Sequence, residues 1–117
     1  MEHRWKIRMP IKMSVEIYSR GQTIMCAKGR TRDLSDSGVY VEVNAAVIPK
    51  NTFVDVLFVE MRSAKDRSFQ VPAIVMHTYA NGLGLMFVDL NTEATERLIG
   101  LLQCHLDTLA YREPGIC

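Results

Sequence analysis

Five residues in two short stretches carry the chemistry of this chain: Arg4 and Arg8 in "RWKIR", and Asp33, Ser35 and Gly38 in "DLSDSG". Two guanidinium groups four residues apart can grip phosphate oxygens, or the O6 and N7 edge of guanine, through paired hydrogen bonds. They can also lie flat on a purine ring. The lead-in to Pro10 is extended, so arginines placed there have no fold to stabilise. Asp33 can accept from guanine N1–H and N2–H₂, a pair of donors that no neutral side chain meets as well. Ser35 can donate to or accept from a base or a phosphate oxygen, and Gly38 lets backbone come close to a ligand. The same stretch also fits an ordinary β-turn, with Asp33 and Ser35 bonding to nearby backbone.

The elements that must position these residues are strands. "IKMSVEIY" alternates, with Ile11, Met13, Val15 and Ile17 on one face, which is the period of a half-buried strand. After the turn "SRGQT", "TIMCAKGRTRDL" forms a second strand with Gly29 as a candidate bulge. "GVYVEV" alternates again, with Val39, Val41 and Val43 inward, and "TFVDVLFVEM" is a nearly continuous apolar strand. "RSAKDRS" is an exposed hairpin tip, and "FQVPAIVMHTY" a strand whose Pro72 belongs at an edge or a bulge. The turn "ANG" leads into the last strand, "LGLMFVDL". From Arg8 to Asp33 the chain runs out along one strand and back along the next. The DLSDSG turn can therefore return to the barrel end at which the arginines enter. Cations and a guanine-reading carboxylate on one rim describe a pocket for a phosphate-bearing guanine nucleotide.

The period then changes. Leu98, Leu101, Leu102, Leu106 and Leu109 recur at helical spacing, with Asn91 or Thr92 as the cap and Glu93 and Glu96 in the first turn. The expected fold is mainly β: a six-stranded antiparallel β-barrel with a C-terminal α-helix, closed so that no strand edge is left bare. One domain covers residues 1–117, with a flexible arginine loop at 1–9, the barrel at 10–90 and the helix at 92–111.

Composition narrows the function. The net charge of +1 conceals an asymmetry: residues 1–32 hold eight basic and two acidic side chains, or +6, which leaves −5 for the rest. A basic front on a near-neutral domain points to a local anionic partner. His3, His77 and His105 are scattered, and there is no P-loop, HExxH, GxGxxG or nucleophile elbow, so no enzyme is expected. Cys26, Cys104 and Cys117 form no CxxC, so no metal is expected either. Cys26 and Cys104 are expected to be small near-core thiols, as in a reducing compartment. No apolar run reaches the roughly 20 residues of a membrane span, and the N-terminus lacks the apolar core of a secretory signal. The expected location is cytoplasmic, without membrane insertion. Only Trp5, Tyr18 and Tyr40 could interleave with cations as stacking platforms, so no DNA or RNA partner is expected.

The pattern resembles the PilZ domain, the bacterial receptor module for cyclic di-GMP. The family's RxxxR stands here as Arg4 to Arg8, followed after 24 residues by its (D/N)xSxxG as Asp33 to Gly38. The strand plan, the late "GLGLMF" strand around Gly84 and Phe87, and the closing helix match the same outline. The resemblance implies that Arg4 and Arg8 clamp guanine edges and phosphates of cyclic di-GMP. Asp33 and Ser35 would bind a guanine and help hold the arginines, while Gly38 shapes the turn. The N-terminal segment would fold over the ligand, and no other cofactor is implied.

Many members carry a further arginine immediately before RxxxR, where this chain has His3. That departure leaves open whether one ligand or a stacked pair binds. His77 is the nearest candidate for the large or basic residue that family members often place at a strand end near the site. Trp5 would stack on a base, serve an interface or pack against the barrel. With no output domain expected, a single-domain receptor would act by presenting an altered surface to an unidentified downstream protein. The rival is a PilZ-like interaction module that binds a protein and no nucleotide.

Overall fold

The computed structural model describes residues 8–43, 48–59, 61–62, 65–66 and 68–111. Six strands form the barrel: β1 (Ser14–Ser19), β2 (Met25–Leu34), β3 (Gly38–Val43), β4 (Phe53–Val59), β7 (Phe69–Tyr79) and β8 (Gly82–Phe87). Their order is β1-β2-β3-β8-β7-β4, every pairing is antiparallel, and β4 returns to β1 to close the barrel. The short strands β5 (Met61–Arg62) and β6 (Lys65–Asp66) pair with each other in the segment expected to be a hairpin tip. The helix α1 (Thr92–Tyr111) follows, as the leucine spacing requires.

Alternation places the core. Val15 and Ile17, Val39 and Val41, Val54, Val56 and Phe58, Val71, Ala73 and Val75, and Leu83 and Leu85 are all buried. Ala94, Leu98 and Leu102 of α1 join the same cluster. Each such side chain contributes about 1.5–3 kcal/mol of transfer free energy if fully buried, alanine less. Asn91 is the helix cap: its Oδ1 accepts from the Ala94 N–H at 2.7 Å, satisfying a donor that the first turn leaves free.

Register breaks fall elsewhere than at Gly29. Gly29 pairs regularly with Val15 and Val43, whereas the extra residues on β2 are Cys26 and Arg32. Glycine is needed at position 29 because a Cβ there would lie 2.1 Å from the Glu42 carbonyl oxygen, not because the ladder bulges. A third extra residue, Met76, interrupts β7 between Val75 and His77. Pro72 sits within β7, and its carbonyl accepts from the Val88 N–H at 3.0 Å. Carbonyl and amide of one strand residue point the same way, so its missing N–H falls beyond the end of β8. Cys104 is disulfide-bonded rather than a free thiol, and Cys26 is an exposed free cysteine. No described helix is long and apolar enough to cross a membrane.

Candidate ligand-binding site

The lead-in is tied to β2 by an antiparallel bridge. Met9 N–H donates to the Leu34 carbonyl at 2.9 Å, and Leu34 N–H donates back to Met9 at 2.8 Å. Met9 and Leu34 are both buried, so the bridge has an apolar underside. Thr31 holds the next turn of the lead-in: its Oγ1 accepts from the Met13 N–H and donates to the Ile11 carbonyl. These contacts fix Arg8 beside Asp33, and its Nη1 donates to Asp33 Oδ1 at 2.8 Å.

Asp33 faces outward because of the bulge at Arg32. Thr31 and Leu34 are buried, and plain alternation from Thr31 would turn Asp33 inward as well. With Arg32 as the extra residue, Asp33 instead pairs with Tyr40 and shares its outward face. The Arg32 Nε lies 3.6 Å from Asp33 Oδ2, so one carboxylate sits between two guanidinium groups. The Asp33 side chain is only 20% exposed, and its attraction to them is less screened than in an open surface pair.

Around this carboxylate lies a cavity of about 380 Å³ lined by Arg8, Arg32, Asp33, Tyr40, His77, Tyr79 and Gly84. The bulge at Met76 turns His77 and Tyr79 outward, against the phase set by Ala73 and Val75. Their rings lie 6.2 Å apart, and those of Tyr79 and Tyr40 lie 5.4 Å apart. Gly84 stands opposite both Tyr40 and His77, and Gly82 opposite Glu42 and Tyr79, so β8 bears no side chain at these two positions of its outer face. That bareness has a use: a Cβ on Gly82 would lie 2.3 Å from the Tyr40 hydroxyl oxygen. Gly82→Ala is expected to push the Tyr40 ring off its seat while leaving the barrel folded, since only a side-chain tip must move. A near-unchanged melting temperature with altered Tyr40 ring resonances would verify it.

The DLSDSG turn divides its labour. Ser35 is buried, its N–H donates to the Gly38 carbonyl at 2.9 Å, and its Oγ accepts from the Ser37 N–H at 3.2 Å. Ser35 thus knits the turn that holds Asp33. Gly38 has no left-handed φ; it is needed because a Cβ would lie 2.4 Å from the Leu85 carbonyl oxygen. Of the residues singled out in the sequence, Arg8, Asp33 and His77 line the cavity, whereas Ser35 and Gly38 are not part of its lining. His3, Arg4 and Trp5 lie outside the described residues. The sequence reading did not assign Arg32, Tyr40, Tyr79 or Gly84 to the site. Alternation on β3 was a usable signal for Tyr40, since inward Val39 and Val41 force it outward.

Two guanidinium groups around one carboxylate, over a floor of tyrosine rings, suit a planar base with donors on one edge and a phosphate nearby. A family model described as the PilZ domain matches residues 2–103. The chain belongs to the PilZ family. PilZ domains are a cyclic di-GMP receptor family of receptor and adaptor modules. No curated protein matches the chain. Among solved structures, it resembles the PilZ domain of CeSA from a cellulose-synthesizing bacterium at 22% identity and a TM-score of 0.65. That match covers 82% of this chain and 94% of the other. It also resembles the Bacillus subtilis inhibitor of motility, MotI/DgrA, at 13% identity and a TM-score of 0.68. This second match covers 97% of this chain and 55% of that one. At these identities the likeness is one of fold, and the PilZ barrel is the fold they share.

Proposed function

We propose that this PilZ domain is a bacterial, cytoplasmic cyclic di-GMP receptor that regulates a protein partner through the surface it presents when liganded. The observation that carries this reading is the Arg8–Asp33 pair at 2.8 Å, held by the Met9–Leu34 bridge at the rim of an aromatic cavity. Asp33 takes the donor edge of one guanine, and Arg8 contacts a phosphate or the guanine O6 and N7. Arg4, four residues upstream, supplies the second clamp as the N-terminal segment closes over the ligand. Ser35 and Gly38 act by fixing the turn under Asp33, and His77 lies at the cavity wall for stacking or phosphate contact.

Calorimetric titration of cyclic di-GMP, with GTP as the control ligand, tests the reading. Saturable binding of cyclic di-GMP with little or no response to GTP is expected. Coupled ordering of a segment costs free energy, so an affinity on the order of micromolar is in keeping with it. Absence of both heat and chemical-shift change would overturn it in favour of an interaction module that binds protein alone.

A further inference from the structure

The cavity beside Asp33 holds one carboxylate and reads one guanine edge, yet a cyclic dinucleotide has two bases and two phosphates. Directly alongside lies a larger groove of about 780 Å³, and the two share Arg32, Tyr40 and Tyr79 as a common wall. Lys28 and Arg30 line the groove and continue the outward face of β2 from Arg32. Residues two apart on a strand are roughly 6.6–6.8 Å apart, so these cations form a row along the groove. Glu42, the cross-strand partner of Arg30, is the groove's acid and leaves it with an excess of positive charge.

Arg32 stands at the join. It is the extra residue of the β2 bulge: Thr31 pairs with Val41 and Asp33 with Tyr40, and the ladder needs nothing from it. Bulges recur next to binding sites because they re-aim a side chain without breaking the sheet. Here the guanidinium carbon lies 3.9 Å from the centroid of the Tyr40 ring. It occupies the face on which a purine would stack, while its Nε reaches toward Asp33. A base entering the cavity must either displace Arg32 or be covered by it.

We propose that Arg32 is a further ligand-binding residue, and that the bound dinucleotide extends across it into the groove, where Lys28 and Arg30 take a phosphate. This rests on the receptor reading above and assigns that same ligand a second subsite. Arg32 serves as a planar cover on a guanine, which a lysine cannot reproduce. The groove supplies charge without base recognition.

The test is calorimetric titration of cyclic di-GMP, across a salt series, into the wild type, Arg32→Ala, Arg32→Lys and the double variant Lys28→Gln/Arg30→Gln. All three side chains are exposed, and melting temperatures close to wild type are expected throughout. Arg32→Ala should weaken binding about 10-fold or more, and Arg32→Lys should recover only part of the loss. The double variant should weaken binding about 10-fold and flatten the slope of log affinity against log salt, because fewer exposed charges are left to be screened. A wild type that binds, with either the Arg32→Ala or the groove variant at wild-type affinity and slope, overturns this inference and leaves the receptor function standing. A wild type that does not bind overturns both.

Discussion

Arg8→Ala should lower the affinity for cyclic di-GMP by about 2 kcal/mol or more, roughly 30-fold, because a charge-assisted contact to the ligand disappears. The loss has a second component. Among the described residues, Asp33 would keep the more distant Arg32 at 3.6 Å, so its carboxylate would be less firmly aimed at the guanine edge. Stability is a separate matter. The Arg8 side chain is 49% exposed, and an ion pair in such a position is worth about 0–1 kcal/mol. Binding and folding should therefore separate: a large drop by calorimetry with a melting temperature shifted by only a few degrees. Arg8→Lys keeps the charge but not the paired donors, and an intermediate affinity is expected. Wild-type affinity in Arg8→Ala would remove Arg8 from the site and with it the role assigned to the RxxxR motif.

The second large effect lies in the core. Phe58 is fully buried on β4, its ring 5.1 Å from Phe69 in a stacked arrangement and 6.2 Å from Phe87 edge-on. Phe58→Ala should cost about 3–5 kcal/mol, the sum of lost transfer free energy and the cavity left behind. Closed strands on both sides of β4 limit collapse into that cavity, so the upper half of the range is expected. For a domain of this size the melting temperature should fall by about 12–20 °C. A denaturant midpoint that falls at unchanged slope would attribute the loss to stability alone. Phe58→Leu refills part of the volume and should lose much less. Circular dichroism is the readout for both variants.

The strands were legible because their hydrophobic alternation is nearly unbroken, and the helix because its leucines change period at Asn91. Of the paired motifs, Arg8 and Asp33 come together at one rim, as their spacing leads one to expect. The full face was not. Plain alternation from Ala73 and Val75 sends His77 and Tyr79 into the core, and alternation from Thr31 sends Asp33 there too. Two extra residues, Arg32 and Met76, reverse this, and glycine at positions 82 and 84 of β8 leaves room on the same face. An extra residue leaves no mark in a hydrophobic pattern: Arg32 reads as one more exposed polar position and Met76 as one more half-buried apolar one. The glycines did leave a mark, but their meaning depends on which rings lie opposite them. That is a fact of register rather than of composition. Ser35 marks the limit of reading roles from motifs: its hydroxyl is engaged in holding the turn.

The pairing order has a consequence for when the site exists at all. β1 must find β4, and β3 must find β8, before the sheet closes, and such sequence-distant pairings place folding on a scale of milliseconds to seconds. The cavity draws on the lead-in, β2 and β3 from the first half of the chain, and on β7 and β8 from the second. No hairpin alone contains it, so a partly folded chain has nothing with which to hold the ligand. Occupancy is then coupled to the completed fold. Cyclic di-GMP at about 100 times its dissociation constant should stabilise the domain by about 2.7 kcal/mol, visible as a rise in its melting temperature.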